Sequence, residues 1–199
     1  EMRSYRALKV LAAAKFSSSP LSTCVRGCAD DVPGAMDVPA KGLALTLPNG
    51  TTNIVGSANS MMRAIASFSP GSELAGATLV DSGIVDSWVQ FGWTEIEVPM
   101  GALLHDKENA QSSVDTVKQH IQSALETLDQ HLQKCTYMVG NGITNADIAL
   151  CSALHAAACS HLWDPALSNT ERSEELRCVK KWYHAVIEQS FFVSALSMQ

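Results

Sequence analysis

The chain has 199 residues, 46% of them hydrophobic and 17% charged, with a formal net charge of −6. These values exclude a disordered chain and allow a sizeable core, as one large or two small domains. No apolar run approaches the ~18 residues of a membrane-spanning helix, and "LKVLAAAKF" lacks the length and cleavage pattern of a signal peptide, so a soluble, cytoplasmic protein is expected.

From the start, Glu1-Met2 reads as the cut end of a longer protein. Ser4 to Phe16 has helical spacing, with Leu8, Leu11 and Ala12 on one face and Arg3, Arg6 and Lys9 on another. Residues 17–39 are rich in Ser, Pro, Gly and Asp and read as loop, with a short strand near Leu21–Val25. Leu43–Leu47 and Thr52–Val55 flank Asn49-Gly50, the pattern of a hairpin. Ala58–Phe68 follows as a helix, and Ser69-Pro70-Gly71-Ser72 marks a boundary, giving units 1–70 and 71–199. Beyond it the pattern is helical throughout. Ile84, Val85, Trp88 and Phe91 are expected to share a buried face; Val114 to Leu132 form a long amphipathic helix; Leu176, Val179, Tyr183 and Ile187 mark another. Charge follows the same division: seven Lys/Arg against four Asp/Glu before residue 71 (+3), seven against sixteen after it (−9). An acidic helical half is a poor surface for bare nucleic acid, because phosphate neutralisation needs clustered cations.

"NGITNADIAL", residues 141–150, carries the clearest local signal. Thr144 is placed as an N-cap whose hydroxyl accepts from the amide of Asp147, with Asp147 reaching back to the Thr144 backbone; Ile143 and Ile148 fit a hydrophobic staple. Thr144 and Asp147 are therefore the predicted structural cap. The six cysteines are Cys24, Cys28, Cys135, Cys151, Cys159 and Cys178. Cys24 and Cys28 form the only close pair, and no second Cys/His pair of standard spacing completes a zinc site. Cys151, His155 and Cys159 recur every four residues on the capped helix and could face a metal, but that helix is almost wholly apolar and nothing obvious closes the coordination. No metal and no cofactor are expected.

"YMVGNGITNADIALCSAL" resembles the C-terminal domain of the glutathione transferase family, in which a capped helix is the centre of the bundle. The resemblance implies an α+β, glutathione-transferase-like fold: a small, incomplete thioredoxin-like unit at 1–70 and an all-helical unit at 71–199. It also implies a test of function. The family opens its second helix with an acid and a Ser that hold the γ-glutamyl end of glutathione; aligned on Asn59 and Arg63, these become Ser57 and Ala58. The catalytic Tyr, Ser or Cys of the family lies at the first strand–helix junction, but no strand is read before the first helix here, where Ser4 or Tyr5 would have to serve; with the anchor pair absent as well, activity is not expected.

Taken in order, "SANSMMRAIASF", "GIVDSWVQF", "YMVGNGITNADIALCSALHAA" and "CVKKWYHAVIEQSFFVSAL" resemble the N-terminal domain of eukaryotic glutamyl-tRNA synthetase, with the methionyl-tRNA synthetase domain, the small multisynthetase cofactors and the elongation-factor gamma subunit as near relatives. That resemblance implies a non-catalytic protein–protein interaction domain that assembles a multi-aminoacyl-tRNA-synthetase complex and assists aminoacylation, itself a fragment of a glutamate–tRNA ligase. Its partners would be other transferase-like domains, with tRNA bound only indirectly and a homodimer as another form of association. The expected contact surfaces are Arg177, Lys180 and Lys181 at the start of the last long helix, and Met61, Met62 and Ile65, with Phe68, on the second helix. The alternatives are an active glutathione transferase and the elongation-factor gamma-subunit scaffold.

Overall fold

The computed structural model describes residues 5–17, 43–46, 52–69, 71–103, 110–166 and 176–198. Its elements are helix α1 (Tyr5–Phe16), strands β1 (Leu43–Thr46) and β2 (Thr52–Val55), helix α2 (Ala58–Ser67), helix α3 (Leu79–Phe91), a π-helical segment (Gly92–Glu97), and helices α4 (Val98–Leu103), α5 (Ala110–Leu132), α6 (Asn145–Cys159), α7 (Arg177–Ile187) and α8 (Ser190–Leu196). The two strands pair antiparallel with Leu43 opposite Val55 and Thr46 opposite Thr52. Among the described residues this hairpin is the whole sheet, and the molecule is mostly helical. Cys24, Cys28 and the proposed strand near Leu21–Val25 lie outside the described residues.

Helix α6 is the axis. From Asn145 to Ala157 nearly every side chain is buried, including Ile148, Leu150, Cys151 and Leu154, each at 0% exposure. Helices α1, α2, α3 and α7 and the π-helical segment all pack on it. The first helix lies between α6, α2 and α8, so the two ends of the chain meet on one core: Leu8 and Phe192 are both wholly buried, and Phe16 packs edge-on against Phe191 with centroids 5.0 Å apart. Fully burying such an aliphatic or aromatic side chain stabilises the fold by about 1.5–3 kcal/mol.

The predicted cap forms, and it does more than cap. Thr144 and Asp147 adopt the capping-box arrangement, but the closest bonds run toward the carboxylate. The Thr144 amide donates to Asp147 Oδ2 at 3.0 Å and its hydroxyl donates to the same oxygen at 2.9 Å. Oδ1 accepts from the Met138 amide and from the indole Nε1–H of Trp182, both at 2.9 Å. A wholly buried carboxylate thus ties the loop before α6, the start of α6 and the middle of α7 into one cluster. Burial pushes its pKa up, and the hydrogen bonds pull the other way. Gly140 makes the turn into this loop at φ +69°, a conformation that side chains resist.

Helix α3 differs from its expected face. Val85 is buried and Trp88 and Phe91 pack partly against the core, but Ile84 is 42% exposed. The three-residue spacing was right for a stripe; the stripe is rotated toward Val85 because α6 approaches from that side. The approach is close: a Cβ on Gly92 would lie 2.9 Å from Leu150 Cδ2. Immediately afterwards the helix widens into its π segment. Pro99 explains this, since it has no amide to donate and its ring collides with a carbonyl one turn back, a conflict that a wider turn relieves.

Helix α7 begins without a local cap. Leu176 stands at its N-cap in the left-handed conformation, φ 63°, and offers no side-chain acceptor. Asp129, far upstream on α5, supplies one: its Oδ1 accepts from the amides of Cys178 (2.8 Å) and Val179 (3.0 Å).

Asp147 and Thr144 should therefore differ in weight. Thr144→Ala is expected to cost about 1 kcal/mol, as a lost cap does. Asp147→Ala leaves the Trp182 indole and the Met138 amide buried without acceptors and should cost about 3 kcal/mol or more. Denaturant unfolding of the two single variants and the double variant measures both costs and their coupling; equal losses would show that Asp147 acts only as a cap.

Candidate functional site

The sequence places Lys9 on the polar side of α1, yet it is 1% exposed. Its Nζ donates to Glu97 Oε1 at 2.6 Å and to Asn59 Oδ1 at 2.7 Å. Glu97 is 2% exposed and closes the π-helical segment, so the widened turn delivers a carboxylate to the interior. Its second oxygen, Oε2, is buried with no hydrogen-bond partner among the described residues. Burial pulls the Lys9 pKa down, and the Glu97 charge opposes this. One ion pair thereby fixes α1, the start of α2 and the π segment relative to each other. On the rim above it, the Arg6 guanidinium lies 5.0 Å from the centroid of the Trp93 ring.

Asn59 is also a wall of an open groove between α2 and α3, with a volume of about 590 Å³. Asn59, Ser60 and Arg63 line one side, Asp86 and Gln90 the other, and Asn145 the base. Arg63 and Asp86 form an exposed ion pair across it. Asn145 spans its base, with its amide donating to Leu74 O and its Nδ2 to Met62 O. Helix α2 opens into this region. Its N-cap, Ser57, has extended backbone and makes no side-chain capping bond, so its exposed hydroxyl stands beside the first free amides of the helix.

Met62 and Ile65 are each 1% exposed. The apolar side of α2 is covered by α1 and α6, so these residues are core and not a contact surface; Met61 is half-buried. Arg177 and Lys181 are exposed on α7, while Lys180 is half-buried and its Nζ donates to Ala166 O at 3.0 Å. Phe68, the last residue of that expected surface, is 51% exposed, and the exposed apolar side chains also include Leu79 (90%), Val80 (72%) and Ile84. Hydropathy alone did not separate Ile65 from Ile84; their burial is set by where α6 passes. No group of three metal-binding side chains occurs among the described residues. The row on α6 is divided by depth instead: Cys151 is buried, His155 half-buried and Cys159 exposed. Ser4 and the Tyr5 side chain lie outside the described residues.

Comparison with known proteins agrees with this architecture. Residues 91–190, half of the chain, match the family model described as glutathione S-transferase, C-terminal domain. No curated protein matches by sequence. Among solved structures, a glutathione S-transferase from Xylella fastidiosa superposes with a TM-score of 0.73 at 16% identity, covering 96% of this chain and 92% of its own. A glutathione S-transferase domain-containing protein from Marinobacter aquaeolei gives 0.73 at 17% identity, covering 94% and 95%. Gtt2 from Saccharomyces cerevisiae gives 0.65 at 15% identity, covering 98% and 96%. These matches overturn the expectation of a non-catalytic appendix of glutamyl-tRNA synthetase: the chain corresponds to glutathione transferases over almost its whole length. Among the described residues no helix is long and apolar enough to cross a membrane.

The buried pair sets a stability expectation. Lys9→Met should strand the Glu97 charge in the interior and cost about 3–5 kcal/mol, whereas Lys9→Met combined with Glu97→Leu should recover much of that loss. A double-mutant cycle by denaturant unfolding measures it; additive losses would mean that the two side chains do not interact.

Proposed function

We propose that this chain, which belongs to the glutathione S-transferase C-terminal-domain family, is a glutathione-using transferase that joins the thiol of the tripeptide to small electrophiles. The observation that carries the reading is Ser57. The acid and Ser expected at the second helix are absent as a pair, but Ser57 stands at the N-cap with a hydroxyl that makes no capping bond among the described residues. That hydroxyl and the amides of the first turn form a carboxylate-binding arrangement, favoured by the helix dipole and suited to the γ-glutamyl end of glutathione. The buried Lys9–Glu97 pair holds α1 and α2 in register, which matters because conjugation depends on the thiol lying within reach of its activating group. In the family that group stands at the start of the first helix, the position of Ser4 and Tyr5.

A second copy of the chain is the partner proposed. The outward stripe of α3 runs through Val80, Gly83, Ile84 and Ser87 and carries no charge, which is unusual for a solvated helix. The groove beside it presents one cation, Arg63, and one anion, Asp86. Across a two-fold axis each would meet its opposite on the second copy, as a self-complementary interface requires.

Calorimetric titration with glutathione and a conjugation assay with an electrophilic aromatic halide test the activity. Binding and turnover are expected, with Ser57→Ala weakening binding about tenfold through loss of a hydrogen bond to a charged group, and Ser57→Thr restoring it. Absence of both binding and turnover at millimolar glutathione would refute the transferase. Sedimentation velocity should show a dimer that Val80→Glu with Ile84→Glu converts to a monomer of unchanged fold; a monomeric parent protein would refute the pairing.

A further inference from the structure

We propose that Cys159 is a reactive thiol with His155 as its base, and that it exchanges with small-molecule disulfides of the glutathione type. The site lies at the far end of α6, away from the groove between α2 and α3, and the transferase reading makes no use of it. The choice of a glutathione disulfide rests on that reading; the reactivity of the thiol does not.

The geometry is that of a nucleophile, a base and a group that orients the base. Cys159 is exposed, and its Sγ lies 3.6 Å from His155 Nε2, one helical turn back on the same face. The other ring nitrogen, Nδ1, is 3.0 Å from the Tyr183 hydroxyl. Tyr183 is 4% exposed and is held edge-on by Trp163, with centroids 5.0 Å apart and an interplanar angle of 82°. The imidazole is thus fixed from behind by a ring that packing prevents from turning. Trp163 belongs to the same cluster and is 8% exposed; its indole Nε1–H is buried and finds no partner among the described residues.

The protonation states suit the role. Burial pulls the His155 pKa down, so at neutral pH the ring is uncharged and able to take a proton. Burial pushes the Tyr183 hydroxyl up, so it stays protonated. In the tautomer that carries its proton on Nδ1 and donates it to Tyr183 Oη, Nε2 is left to accept from the thiol. Cys151 shows the contrast: two turns before Cys159 in the row, it is wholly buried and its pKa is pushed well above the usual thiol value, which makes it inert.

The step is thiol–disulfide exchange. His155 takes the Cys159 proton, and Sγ attacks one sulfur of oxidised glutathione. A bond forms between Sγ and that sulfur, and the disulfide bond breaks. The second glutathione leaves as a thiolate and takes the proton back from the imidazolium. One protein thiol and one disulfide become one mixed disulfide and one free glutathione, with no other oxidant.

Cys135 provides an internal reference, being exposed on the same chain. The reduced full-length protein is treated with oxidised glutathione, and modification at each cysteine is followed by mass spectrometry. Cys159 is expected to react at least about threefold faster than Cys135, because His155 stands ready to take its proton as the sulfur attacks. His155→Gln should bring Cys159 down to the Cys135 rate and leave Cys135 itself unchanged. Tyr183→Phe should lower the ratio in part at an unaltered melting temperature. Equal rates at the two cysteines, or a His155→Gln protein with an unchanged ratio, would overturn the proposal. An aromatic disulfide, dithiobis-nitrobenzoate, separates the two readings: selective reaction of Cys159 with it but not with oxidised glutathione would overturn the assignment to glutathione-type disulfides. Loss of conjugation activity alone, with Cys159 still selective, would count only against the transferase.

Discussion

The carboxylate of Asp147 is the interaction on which the rest of the architecture depends. It sits where α6 begins, wholly buried, and its four bonds come from three pieces of chain: the loop amide of Met138, the amide and hydroxyl of the cap residue Thr144, and the indole of Trp182. Each donor would otherwise be an unpaired polar group in the interior. The carboxylate in turn bears a desolvation cost that only several donors together offset. The mutual dependence makes the cluster cooperative: α6 cannot start one residue earlier or later without releasing α7. Because α1, α2, α3 and the π segment all rest on α6, the register chosen there fixes the positions of all of them.

A second polar contact governs the site. Lys9 and Glu97 meet inside the molecule, at the point where α1, α2 and the π segment converge. A buried ion pair is seldom a large net source of stability, since desolvation consumes most of the attraction. What it supplies is specificity of arrangement. An apolar contact at the same place would tolerate sliding; a 2.6 Å bond between a lysine and a carboxylate does not. The groove wall at Asn59 inherits that definition, and so does the start of α2 just before it. The π turn is part of the same arrangement, because it brings Glu97 inward just before Val98, which is 49% exposed.

The two ends of α6 illustrate how one apolar helix can serve different chemistry. Its start is closed to solvent and organised around a carboxylate. Its end emerges from the bundle, so that residues on a single face pass from wholly buried Cys151 through half-buried His155 to exposed Cys159. Helix α7 is tied to both ends: its Trp182 bonds Asp147, while the hydroxyl of Tyr183 meets His155.

How much of this was legible depended on the range of the interaction responsible. Local signals were sufficient for most elements. The helical spacing of residues 114–132, the Asn49-Gly50 hairpin pattern and the Thr144–Asp147 cap each involve residues a few positions apart, and among the described residues the expected helices and strands formed within a residue or two, apart from the early starts of α3 and α5 and the helical segments at 92–103 and 190–196, which went unread. The family resemblance was carried by the same local stretch. Depth was not legible. Met62 and Ile65 became core while Ile84 stayed outside, because burial depends on which neighbour approaches, and that neighbour is α6, some sixty residues or more away in sequence. The partners of charged groups were no more visible: Lys9 finds Glu97 at a separation of 88 residues, and Asp129 caps α7 from 49 and 50 residues upstream. The sequence by itself determined where most of the helices run, since propensity, capping and periodicity act over single turns, and the family resemblance marked the capped helix as central. Only the tertiary structure decided which polar side chains are buried together and which apolar ones face outward, because desolvation and pairing are properties of the assembled packing.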